Sequence, residues 1–176
     1  MSFYLDRPLN FAHRGASHEA PANTLAAFLL AVDLGAEGIE LDVHLSKDGH
    51  VVVIHDFDLA ATTHGQGLVR DKTLAELKEL DAGSWFDPVF AGQCIPTLQE
   101  VIDAVGHRLL LNIELKTRGW GDGGLAAISG CAILACMSTC SINSSRVCET
   151  TSNGHFAPVS AHTSLNAMIC LQRAPD

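Results

Sequence analysis

Four apolar runs in this 176-residue chain carry polar groups able to do chemistry. His13 and Arg14 close Leu9-Asn10-Phe11-Ala12, and Glu40 and Asp42 lie within Gly38-Ile39-Glu40-Leu41-Asp42-Val43. His55 and Asp56 follow Val51-Val52-Val53-Ile54, while Glu114 and Lys116 end Leu109-Leu110-Leu111-Asn112-Ile113. An ionisable group on an apolar strand is costly unless it is paired or bound to a metal. Four runs ending this way predict one shared site. In parallel α/β architectures such a site lies beyond the carboxyl ends of the strands.

Glu40, Asp42 and Glu114 supply three hard oxygen ligands from two strands, a set that suits Mg²⁺ or Ca²⁺ rather than zinc. The competing reading is that they form salt bridges with Arg14 and Lys116. His13 and His55 are the candidate general acid and base, because imidazole titrates close to working pH. Each alone would pass for a satisfied structural group. Arg14 can offer a bidentate fork to a phosphate oxygen, and Lys116 a point charge into the same site. Asp56 either orients His55 or caps the loop. Trp85 and Phe86 line a pocket wall or pack in a core, and His18, His44, His50, His64 and His107 read as surface or packing residues.

The elements that must hold these groups follow from periodicity. Leu9 to His13 reads as a strand, followed by a helix over Leu25 to Leu34 with Asn23-Thr24 as its cap and Gly35 at its end. From Ala36 to Ser46 the chain alternates, Ile39, Leu41, Val43 and Leu45 facing one way and Glu40, Asp42 and His44 the other. Glu40 and Asp42 therefore share a face and can bind one ion. Lys47-Asp48-Gly49-His50 is a turn and Val51 to Ile54 the next strand. Asp58 to Lys72 is irregular. Thr73-Leu74-Ala75-Glu76 and Thr97-Leu98-Gln99-Glu100 are capping boxes, the first opening a helix to about Leu80 and the second a helix that Gly106 ends. Arg108 to Lys116 closes the series as a strand with Asn112, Glu114 and Lys116 on one face. This order predicts the first half of an α/β (β/α)8 (TIM) barrel.

The same pieces resemble the first half of a glycerophosphodiester phosphodiesterase: His13-Arg14-Gly15, Glu19 with Pro21-Ala22-Asn23-Thr24, Gly38 to Val43, His55-Asp56 and Glu114-Leu115-Lys116. The resemblance runs from Phe11 to Thr117. It implies a barrel of the phospholipase C-like phosphodiesterase kind, with a small insertion beginning near Asp58. It further implies a divalent ion, Mg²⁺ or Ca²⁺, on Glu40, Asp42 and Glu114, a catalytic pair in His13 and His55, and Glu19 near the glycerol and metal. The reaction would be metal-assisted hydrolysis of a small-molecule glycerophosphodiester to glycerol 3-phosphate and an alcohol such as choline or ethanolamine. Two rivals are a phosphodiesterase acting on lysophospholipids and a catalytically silent half-barrel.

The residues after Gly119 do not fit a barrel's second half. A complete barrel takes about 250 residues, and only 57 remain for four strands. Asp122, Arg146, Glu149, Arg173 and Asp176 are the only charged residues there, and five of the six cysteines, at 131, 136, 140, 148 and 170, crowd into it without a CxxC pair. A zinc site is not expected. The division expected is 1–119, the first half of a barrel, and 120–176, an atypical Cys/Ser-rich tail that a frameshift or a truncated gene would explain. The tail is expected to add little parallel sheet beyond a short helix over Leu125 to Met137. That would leave the edges of Leu9–His13 and Arg108–Lys116 exposed. The uncharged run Gly123–Ser145 lacks basic flanks and is a poor membrane span. A net charge of −9 argues against nonspecific nucleic-acid binding. The opening residues show no secretory signal, so the cytoplasm is the expected location.

Overall fold

The computed structural model describes residues 8–116, 148–150, 156–158 and 168–171. Strand β1 (Phe11–His13) leads through a turn into helix α1 (Leu25–Asp33) and back to strand β2 (Gly38–Leu45), which lies parallel to β1 with His13 opposite Glu40. Thr24 caps α1, its hydroxyl accepting from the Ala27 amide. Gly35 at φ +80° takes the left-handed turn that lets the chain re-enter the sheet. Gly15, at φ +82°, is needed for space as well, because a Cβ there would lie 2.7 Å from the Ala27 backbone.

Strand β3 (Val51–Val53) is where the structure departs from the expected barrel order. It pairs antiparallel with β2, Val53 opposite Val43, as the return arm of a hairpin. Four turn residues can reverse a chain, whereas a parallel neighbour needs a crossover of a dozen residues or more. His55 therefore reaches the other site residues by coming back down β2, not by ending a parallel strand. The two capping boxes form as expected at Thr73/Glu76 and Thr97/Glu100, opening α2 (Leu74–Lys78) and α3 (Leu98–Val105). Strand β4 (Leu110–Leu115) then pairs parallel with β2, with Glu114 opposite Asp42. The sheet so far is β1-β2-β4, parallel throughout, the core of a TIM-barrel-like fold, with β3 folded onto the far end of β2.

Two apolar clusters hold this frame. Phe28, Ile39, Leu41, Val43, Leu98, Ile102, Leu111 and Ile113 join α1 and α3 to the sheet. Val52, Ile54, Leu59, Val69, Leu77 and Ile95 form a second cluster under the excursion between β3 and α3. Strand β3 bridges them, because Val51 and Val53 belong to the first and Val52 to the second. Trp85, by contrast, is 43% exposed, so it belongs to neither.

Past residue 147 the described segments are β5 (Cys148–Thr150), β6 (Phe156–Pro158) and β7 (Met168–Leu171), all paired antiparallel. None extends the parallel order. Strand β7 lies along β4, Ile169 opposite Ile113, so the edge expected to be open at Arg108–Lys116 is covered. The helix expected over Leu125–Met137 and the run Gly123–Ser145 lie outside the described residues. Among the described residues no helix is long and apolar enough to cross a membrane.

Candidate active site

Asp42 is the centre of the polar cluster. It is fully buried on β2, and its carboxylate meets three groups, two from the turn after β1 and one from the end of β4. Arg14 Nε lies 3.3 Å from Oδ2, and the Asn23 side-chain amide donates to the same oxygen at 2.8 Å. Lys116 Nζ sits 3.0 Å from Oδ1 and also donates to Glu114 Oε1 at 2.8 Å. The ion pairs with Arg14 and Lys116, offered from sequence as the alternative to metal binding, are therefore present. They do not complete the shell: Asp42 Oδ1 and Arg14 Nε are both sealed from solvent without a well-aligned hydrogen bond.

Glu40 sits two residues earlier on the same face. Its carboxylate accepts from the Arg14 backbone amide at 3.2 Å and lies 3.7 Å from His13 Nε2. Burial, then the neighbouring Asp42 charge, push its pKa up to about 7. One ligand oxygen from each of Glu40, Asp42 and Glu114 lies within 4.8 Å of the others. Three converging carboxylates, one of them resisting ionisation and another with a buried oxygen that lacks a well-aligned hydrogen bond, fit a hard divalent cation.

The histidines are placed differently. His13 stands at the end of β1 with a largely exposed ring beside Glu40. The ring of His55 is held by Asp56, Nδ1 to Oδ1 at 3.2 Å, so Asp56 orients His55 as one of the two sequence readings had it. The link of His55 to the carboxylate face runs through its backbone, whose carbonyl oxygen lies 3.0 Å from His44 Nε2. Glu19 and His18 are exposed and line a cavity of about 290 Å³ beside β1 and α1, which His13 also borders.

Asn23 was read from sequence as part of a helix cap, and this is the functional position that reading missed. Thr24 does the capping. Asn23 instead holds Asp42 at both ends, its side-chain oxygen 3.4 Å from the Asp42 amide nitrogen. It does so from a left-handed backbone, φ +59°, while its own amide donates to the Arg14 carbonyl. Arg14 shares that conformation, also at φ +59°. Two non-glycine residues in this sparsely populated region face one carboxylate, which marks a turn shaped for the site.

The glycerophosphoryl diester phosphodiesterase family model matches residues 13–119, from the first histidine to just past Lys116. The chain belongs to this family. A glycerophosphodiester phosphodiesterase of Caldanaerobacter subterraneus is 55% identical over 112 residues, which cover 63% of this chain and 46% of that protein. Among solved structures, a phosphodiesterase of Oleispira antarctica in complex with the product sn-glycerol-3-phosphate superposes with a TM-score of 0.60 at 48% identity, covering 62% of this chain and 44% of that one. A glycerophosphodiester phosphodiesterase of Agrobacterium tumefaciens gives the same TM-score at 46% identity, covering 61% and 46%. The chain spans less than half the length of these family members, and the matched part holds all seven site residues named from sequence.

Proposed function

We propose that this chain hydrolyses glycerophosphodiesters to glycerol 3-phosphate and an alcohol. Glu40, Asp42 and Glu114 would hold a divalent cation of the Mg²⁺ or Ca²⁺ kind, with His13 and His55 as the proton-transfer pair. The observation that carries this reading is the charge balance of the cluster. Three carboxylates face two permanent cations, Arg14 and Lys116. A divalent ion would convert that deficit into a surplus of one positive charge, which matches the single negative charge of a phosphodiester.

The bound cation would supply Lewis-acid stabilisation of charge on the phosphoryl oxygens. Arg14 and Lys116 stand at Asp42, where their charge adds to that stabilisation as the transition state forms. One histidine takes a proton from the nucleophile and the other gives one to the departing alkoxide. The contacts of His13 with Glu40 and of His55 with Asp56 support a division of those tasks between them. The nucleophile is either water or the hydroxyl of the substrate's own glycerol. Residues 1–119 would carry this chemistry as a half-barrel, with 120–176 as a segment of different origin.

A silent half-barrel is the second reading, favoured by one feature. Strand β7 lies antiparallel along β4, the edge at which a parallel barrel would add its next strand. Release of glycerol 3-phosphate from glycerophosphocholine by the purified chain, with and without Mg²⁺ or Ca²⁺, separates the two. We expect metal-dependent release, reduced about 10²- to 10⁴-fold in His13→Ala and in His55→Ala. Absence of release from a folded, metal-binding chain would establish the silent reading.

A further inference from the structure

We propose that His44 is a positioning residue for His55, a donor on β2 that fixes the backbone of the proposed catalytic loop relative to the carboxylate face. This deepens the hydrolase reading and rests on it for the role of His55.

The hairpin ladder between β2 and β3 carries regular pairing only to Val53, opposite Val43. One further backbone bond follows, from the Ile54 amide to the Asp42 carbonyl at 3.0 Å. At His55 a side chain takes over: His44 Nε2 lies 3.0 Å from the His55 carbonyl oxygen. A carbonyl only accepts, so Nε2 carries the proton and donates. The ring of His44 is 5% exposed and meets Phe57 edge to face, centroids 4.7 Å apart at 89°. Phe57 is in turn tied down by its carbonyl, which accepts from the Val69 amide at 3.0 Å. Residues 55 to 57 are thus held at one end by a hydrogen bond to His44 and at the other by the packed excursion.

The placement of His44 along the strand gives this contact its meaning. It follows Asp42 by two residues, and β2 presents Glu40, Asp42 and His44 on one face at the strand period. A single rigid element therefore carries two of the carboxylates and the donor that holds the loop of His55. Groups one step behind the reacting residues commonly set the orientation of those residues in this way. If packing were the only role, any apolar side chain of similar volume would serve as well. A donor can be replaced only by another donor.

His44→Phe and His44→Gln distinguish these roles in the full chain. Phenylalanine keeps the apolar volume and the contact with Phe57 but cannot donate, whereas glutamine can. Two readouts apply: the His55 ring signals in aromatic ¹H–¹³C NMR spectra, and kcat for glycerophosphocholine alongside Mg²⁺ or Ca²⁺ affinity. In His44→Phe we expect displaced His55 signals and a kcat lower by about 10- to 100-fold, with metal affinity unchanged. His44→Gln should bring both readouts back toward wild type. Wild-type His55 signals in a folded His44→Phe chain would overturn the proposal, as would a glutamine variant no better than the phenylalanine one. Should His44→Phe fail to fold, His44→Gln decides alone, since retained His55 signals support the donor role and displaced signals refute it. The NMR readout needs no turnover, so it tests His44 even where the hydrolase reading fails.

Discussion

The two faces of β2 are buried alike and stand in opposite relations to stability. Ile39, Leu41 and Val43 are wholly inaccessible to solvent, and Glu40, Asp42 and His44 on the reverse are 9%, 0% and 5% exposed. The first face contributes through apolar burial against α1 and α3. The second removes two carboxylates and an imidazole from water, which is unfavourable until partners compensate. Those partners come from distant segments: Arg14 and Asn23 from the turn after β1, Lys116 from the end of β4, and the His55 carbonyl from beyond β3. One strand thus combines a face that drives folding with a face that folding must assemble, and the compensation left incomplete on the second is where a cation would act.

Asp42→Asn should break this arrangement most severely. Two cations contact Asp42, and removing its charge leaves Arg14 Nε and Lys116 Nζ poorly matched in a largely closed site. Loss of one partner of a buried pair costs about 3–5 kcal/mol, so urea denaturation should show a marked loss of stability. Stabilisation by added Mg²⁺ or Ca²⁺ should vanish as well. Leu41→Ala tests the opposite face and should cost about 3 kcal/mol, within the range for a buried leucine. Thermal melts should nonetheless keep their response to metal. A Leu41→Ala chain that stayed folded and lost that response would show that the two faces are not separable.

Glu40→Gln should have the smallest effect and the opposite sign. The folded pKa of Glu40, about 7, lies above its ordinary value of 4.5, so the folded chain holds this proton more tightly than the unfolded chain does. Its contribution is therefore fully present below pH 4.5 and is lost as pH rises through about 7. Above that pH the metal-free wild type should be less stable than Glu40→Gln by roughly 2–3 kcal/mol, while the variant loses metal affinity. Chemical denaturation in chelator at pH 5 and pH 8 measures the difference. Equal stabilities at both values would remove the burial penalty from Glu40.

Much of this was legible in the chain itself. The alternation from Ile39 to Val43 fixed which residues share a face, and two capping boxes located α2 and α3. The direction of β3 was also within reach, because Lys47–His50 is too short to connect parallel strands. Asn23 and His44 were not. Asparagine and threonine both cap helices, and only the approach of Asn23 to Asp42, nineteen positions away, separates the two roles. His44 acts on a backbone carbonyl, a partner that leaves no residue-specific mark in a sequence. The covering of β4 by β7 was hidden for a related reason: the edge of a strand is defined by what pairs with it, and a four-residue apolar segment far along the chain carries too little periodicity from which to infer that pairing.

Whether Glu40, Asp42 and Glu114 together bind a divalent cation is tested most directly by calorimetric titration of the full chain with Mg²⁺ and with Ca²⁺ at pH 8. Glu114→Gln is the control, since Glu114 lies nearer the surface than Asp42 and its loss leaves Lys116 paired with Asp42. We expect binding of one ion per wild-type chain and its loss in Glu114→Gln. A folded wild-type chain that binds neither ion, or a Glu114→Gln chain that binds as wild type does, would contradict this.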